Sequence, residues 1–131
     1  DEQVFMLQAE VVERMVAPAG SSDFSRLSVM LQARYDMDLV LEVPPEAFEP
    51  APKVNSAVVR MIPKKAFDLT QAQWGALEQV VAAAFSQRRK MLRTNLQDFA
   101  ARLQLNDEEL KARAQDIAVD RYIEWAKILA S

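Results

Sequence analysis

The chain has 131 residues, is half apolar, carries 16 Lys/Arg against 19 Asp/Glu for a net charge of −3, and contains neither cysteine nor histidine. That length supports one domain or a piece of a larger one, and the longest apolar run, VVAAAF at 80–85, falls far short of the roughly 20 residues of a membrane span. Disulfides and Ser-His or Cys-His nucleophiles are excluded, a zinc or other metal site is not expected, and a reducing cytoplasm is the expected location.

The first ten residues, DEQVFMLQAE, are acidic and have none of the pattern of a secretory signal. QVFMLQ (3–8) predicts a strand with the character of a buried inner strand, which would make residue 1 a cut end within a larger α/β domain. AEVVERMVA follows directly, with Val11, Val12, Met15 and Val16 at helical spacing and Glu10, Glu13 and Arg14 placed for local ion pairs. PAGSSD (18–23) reads as a loop, with Ser22 or Asp23 as the cap of a helix that carries Leu27, Met30, Leu31 and Arg34. DLVLEV (38–43) and SAVVRMI (56–62) predict two strands that pair as neighbours. Their connection, 44–55, is much longer than an ordinary hairpin loop and is stiffened by Pro44, Pro45, Pro50 and Pro52, whose φ angles are fixed.

After Pro63 the pattern is helical throughout. Thr70 and Gln73 form a capping box before Trp74, Leu77, Val81 and Phe85; Leu92, Leu96, Phe99 and Leu103 repeat at four, three and four. Asn106 and Glu109 form a second box, and Ile123, Ala126 and Leu129 mark a last helix whose start near Ala118 is poorly capped. The division is therefore an α/β piece, 1–63, and an all-helical piece, 64–131.

Charge is distributed unevenly: residues 1–60 hold five Lys/Arg and ten Asp/Glu, residues 61–131 eleven and nine. AFSQRRKMLRTNL (84–96) concentrates Arg88, Arg89, Lys90 and Arg93; as a helix it presents Arg89 and Arg93 on one face, either as a solvated surface paired with acids or as a grip on RNA phosphates. Phe48, in AFEPAPKVNSAVV, either plugs the adjacent core or offers a face on which a base stacks. Trp74 and Trp125 have core spacing. Neither Gly20 nor Gly75 lies in a phosphate-cradling pattern.

Taken together, MLQAEVVERMVA, FSRLSVMLQ, VPPEAFEPAPKVNSAVVRM and AFSQRRKMLRTNL, in this order, resemble the second half of the ribosomal RNA small-subunit adenine dimethyltransferases, the kasugamycin-sensitivity enzymes. The resemblance implies the C-terminal part of a Rossmann-like S-adenosylmethionine methyltransferase sheet followed by a small helical, rRNA-facing domain, with QVFMLQ as its fifth strand. It implies dimethylation of two adjacent adenines in small-subunit rRNA, with S-adenosylmethionine held by segments this chain does not contain, so that the chain alone would bind no cofactor. Substrate-binding residues carried over are Phe48, Pro50, Pro52 and Lys53, with Val54 in the same loop; RNA-binding residues are Arg88, Arg89, Lys90 and Arg93. Asn55 stands where many relatives have an acid, and Ala118 where many have a serine cap. The partners implied are small-subunit rRNA and the small ribosomal subunit, with the full-length enzyme a monomer. Two other readings stay open: the macrolide-resistance class acting on large-subunit rRNA, and a non-catalytic RNA-binding module of ribosome assembly.

Overall fold

A computed structural model describes residues 1–47, 54–64 and 69–131. Strands β1 (Gln3–Gln8), β2 (Tyr35–Val43) and β3 (Ser56–Pro63) form an antiparallel sheet in the order β1-β3-β2. β2 and β3 pair as the predicted neighbours, from Tyr35 opposite Pro63 to Val43 opposite Ser56, with a register shift between Leu39 and Leu41. The extra residue there, Val40, is the mark of a bulge.

Alternation along β3 defines the two faces. Ala57, Val59 and Met61 are buried against helix α1 (Ala9–Val16), whose Ala9, Val12 and Met15 follow a helical stripe. The other face aligns Val4 with Arg60 and Met6 with Val58 in β1, then Leu41 with Val58 and Asp36 with Ile62 in β2. Val4, Met6, Leu41 and Ile62 are all exposed there, around Arg60, which bonds Asp38 at 2.8 Å and lies 3.5 Å from Glu2.

β1 is the edge of the sheet that these residues form and is exposed along its whole length. Its composition reports an affinity for burial, whereas α1 lies chiefly over β3 and β2.

Two corrections concern α2 (Arg26–Gln32). Its cap is Ser25, whose N–H donates to Ser28 Oγ at 2.9 Å, rather than Ser22 or Asp23. Its fully buried apolar side chain is Val29, while Leu27 is exposed. The reason is that α2 packs on two sides: Val29 joins the helical core, and Leu31 leans on the sheet core.

The junction between α1 and α2 is made by polar side chains. α1 ends at Ala17 in extended backbone, directly before Pro18, so its last carbonyls have no helical partners. Gln32 donates both amide hydrogens, to Met15 O at 2.9 Å and Ala17 O at 2.7 Å, and Ser28 Oγ donates to Arg14 O.

The helical half comprises α3 (Gln71–Ala84), α4 (Leu92–Asn95), α5 (Ala100–Leu103), α6 (Asp107–Lys111) and α7 (Val119–Ala130). Both predicted boxes are present: Gln73 N–H donates to Thr70 Oγ1 at 3.1 Å, and Glu109 N–H to Asn106 Oδ1 at 2.8 Å. α7 starts at Ala118 without a side-chain cap. Its core is aromatic: Phe24 touches Phe85 with centroids 6.3 Å apart, Phe85 touches Tyr122 at 6.1 Å, and Tyr122 meets Trp125 edge to face at 5.2 Å. Burial pushes the Tyr122 phenol pKa upward, and its hydroxyl donates to Ala114 O at 2.7 Å. Arg121 forks onto Glu109 at 2.6 and 3.1 Å and reaches Glu124 at 3.0 Å.

Gln32→Ala leaves two carbonyls without donors and should destabilise the chain by about 1–3 kcal/mol, read as a lower urea midpoint with an unchanged m-value; an unchanged midpoint would remove this role. The hydrogen bond from Arg121 holds the Glu109 carboxyl below its ordinary pKa. A depressed carboxyl stabilises the fold above its unfolded pKa, and that contribution disappears as pH falls through the folded value. Arg121→Gln should therefore lower the urea midpoint at pH 7 more than at pH 3, and equal losses at both would exclude the linkage.

Candidate nucleic-acid interface

The basic segment does not form the expected helix. α3 stops at Ala84, residues 85–90 form turns and bends, and α4 begins only at Leu92. The apolar repeat that predicted one helix is split because Leu92 and Leu96 turn into the core. At that break Asn95 Nδ2 donates to Ala84 O and Gln87 O, each at 2.9 Å, in competition with continued helix. Ser86 Oγ donates to Ala83 O, and Lys90 N–H to Gln87 O.

This bonding points the polar work inward and the charge outward. Arg89, Lys90 and Arg93 are exposed and make no side-chain hydrogen bond or ion pair among the described residues. Gln87, Arg88, Arg89 and Lys90 line an open recess of about 280 Å³. Arg88 differs from its neighbours: its Nη2 donates to Ser22 O and, at 2.8 Å, to Phe24 O.

Sequence reasoning missed two more cations. Leu92 N–H donates to Ala112 O at 2.8 Å, which sets 111–113 alongside the turn and brings in the exposed Lys111 and Arg113. Twenty residues of separation give no local signal for that approach. Asn95 was equally hidden, because a lone asparagine after a basic run has no distinguishing pattern. By contrast Arg60 is engaged by Asp38 and Glu2, and the first of these raises its pKa through a hydrogen bond.

The other candidates, Phe48, Pro50, Pro52 and Lys53, lie outside the described residues. The residues that flank them are described: β2 runs into a 3₁₀ turn at Pro45–Ala47, and Val54 and Asn55 precede β3. Ala9 N–H donates to Asn55 O at 2.9 Å, so the start of α1 meets the return of this loop. Between them is a recess of about 250 Å³ lined by Gln8, Ala9, Glu10, Glu13, Val54 and Asn55. Glu10 pairs with Arg14 at 2.7 Å, as its spacing predicted. The recess presents the carboxylates of Glu10 and Glu13 and the amides of Gln8 and Asn55.

A nucleotide cofactor has no cradle on this chain's described residues. Gly20, at φ 93°, bonds its N–H to Gln115 O, and Gly75 is inside α3, so neither glycine opens a backbone approach to a phosphate or an adenosine. Among the described residues no group of three His, Cys, Asp or Glu side chains could hold a metal, and no helix is long and apolar enough to cross a membrane.

Similarity to known proteins covers the whole chain. The family model described as "Ribosomal RNA adenine dimethylase" matches residues 1–131. A "Ribosomal RNA small subunit methyltransferase A" of Bordetella petrii is 55% identical over 93% of this chain and 47% of its own length. The protein of the same description from Burkholderia mallei is 53% identical over 99% and 48%. The chain thus spans about half the length of these curated relatives and corresponds to their C-terminal portion. Among solved structures, a dimethyladenosine transferase from Plasmodium falciparum superposes with a TM-score of 0.78 at 22% identity, over 95% of this chain and 55% of that one. The 23S rRNA methyltransferase ErmE gives 0.65 at 18%, over 100% and 55%. At these identities the structures establish a shared fold.

Asn95→Ala should free the turn that presents the cations: amide exchange at 85–90 is expected to accelerate while the protection of α7 is retained. Unchanged exchange at 85–90 would show that the turn needs no such pin.

Proposed function

The chain belongs to the ribosomal RNA adenine dimethylase family, and on that premise we propose that it forms the RNA-facing part of an enzyme that dimethylates two adjacent adenines of small-subunit rRNA. Residues 1–63 would complete the methyltransferase sheet, and 64–131 would be the helical domain that engages the ribosome. S-adenosylmethionine, which supplies the methyl groups in this family, would be held by elements beyond the residues described here.

The observation that carries the reading is the outward display of Arg89 and Lys90 on a turn whose backbone is bonded from inside by Asn95, with Arg93 exposed at the start of α4. Preformed display lowers the ordering cost of binding, and cations placed this way neutralise phosphates with release of counterions. Lys111 and Arg113 extend the same surface. Phe48, Pro50, Pro52 and Lys53 are proposed to line the target adenine. Both flanks of their loop reach one end of the sheet, where Val43 pairs with Ser56 and Asn55 meets Ala9. Aligning the exocyclic amine with the methyl donor would account for most of the rate, a route that requires no histidine base.

The small-subunit substrate is favoured by the names of relatives above 50% identity; the likeness to ErmE is one of fold. A second reading is that the chain by itself is an RNA-binding surface, which the exposed Arg89, Lys90 and Arg93 support. The full-length enzyme would be a cytoplasmic monomer that acts on the small ribosomal subunit.

Binding of the chain to small ribosomal subunits tests the interface. Replacing Arg89 and Arg93 together by Glu should weaken binding and reduce the magnitude of the salt slope by about 2. An unchanged slope would reject these residues as phosphate contacts.

A further inference from the structure

Four features converge on the loop between α1 and α2. Its Gly20 N–H reaches Gln115 O in the helical half at 2.7 Å. Its Phe24 is wholly buried against Phe85, three residues before Arg88. Its downstream helix, α2, holds the end of α1 through Ser28 and Gln32. Arg88 then closes the loop from the other side, one Nη2 serving the carbonyls of both Ser22 and Phe24.

We propose that Arg88 is a positioning residue: it brackets the α1–α2 loop to the basic turn, setting Arg89, Lys90 and Arg93 at a fixed place relative to the sheet, rather than contacting phosphate. The proposal rests on the reading of that turn as the rRNA interface. A guanidinium suits the task because its planar fork carries several N–H donors and its charge strengthens each bond to a carbonyl. The loop has few alternatives: its other backbone bonds are Gly20 to Gln115, Ser21 to Pro18 and Phe24 to Ser21, none of which satisfies the Ser22 or Phe24 carbonyl.

This assignment separates Arg88 from the three cations beside it by kind of effect. A phosphate contact contributes to the salt slope. A bracket changes affinity by misplacing the other contacts and leaves their number intact, so the slope is preserved. The bracket also exists without RNA, which makes it measurable in the free chain.

The experiment compares Arg88→Gln and Arg88→Lys with the parent chain, by amide exchange without RNA and by binding to small ribosomal subunits across a salt series. Arg88→Gln is expected to accelerate exchange at Gly20 and Phe24 and to weaken binding about tenfold with an unchanged salt slope. Arg88→Lys, which keeps a charged donor, should recover part of the protection. A slope reduced by about 1 in Arg88→Gln, or unchanged exchange at Gly20 and Phe24, overturns the proposal. The underlying reading fails differently: retained binding in the Arg89→Glu, Arg93→Glu chain removes the interface, whereas accelerated exchange in Arg88→Gln still upholds the bracket.

Discussion

An eight-residue helix that ends in extended backbone leaves carbonyls that must find donors, and the architecture depends on how α1 solves this. No glycine closes it in a left-handed turn; Ala17 and Pro18 lead the chain away. The donors come from Ser28 and Gln32, one helical turn apart on α2. Ser28 is the one buried polar residue among those described, and its hydroxyl both closes the N-terminus of its own helix and the C-terminus of another. Meeting both requirements with one side chain fixes the distance and direction of α2 relative to α1.

Once α2 is placed, the two apolar clusters follow from its opposite sides. Val29 and Ala33 enter the cluster of α3 and α7, and Leu31 enters that of the sheet. Ala17 and Phe24, upstream of α2, also belong to the helical cluster. Residues 17–33 therefore serve both halves, and a cut after residue 63 in sequence does not coincide with the boundary between clusters. Arg34 continues the connection at the far end of α2, over the Trp74 ring at 4.9 Å while its carbonyl accepts from Lys64 N–H.

Legibility in the sequence followed the range of the interaction. The strands at 3–8, 38–43 and 56–62, the Thr70–Gln73 and Asn106–Glu109 boxes and the uncapped start of α7 all depend on neighbours within a few residues, and all appear in the structure. The cap at Ser25 was hidden because its partner Ser28 is chosen by a carbonyl at Arg14, a long-range demand. The basic helix failed for the same reason: Leu92, Leu96 and Asn95 answer to the core and to the end of α3, and periodicity cannot show where a repeat is broken by a turn. Charge was legible as a cluster, but its division between Arg88, bonded to the loop from 18 to 25, and the unengaged Arg89, Lys90 and Arg93 needed that loop brought across.

Both tryptophans lie in or against the helical cluster, Trp125 fully enclosed and Trp74 at its margin beneath Arg34; the sheet cluster has none. Tryptophan emission is thus a spectroscopic reporter of one half of the molecule, whereas peptide-bond ellipticity weighs both. Because α2 belongs to both clusters, the two signals form a direct test of cooperativity: superimposable transitions mean that the shared helix couples the halves into one melting unit.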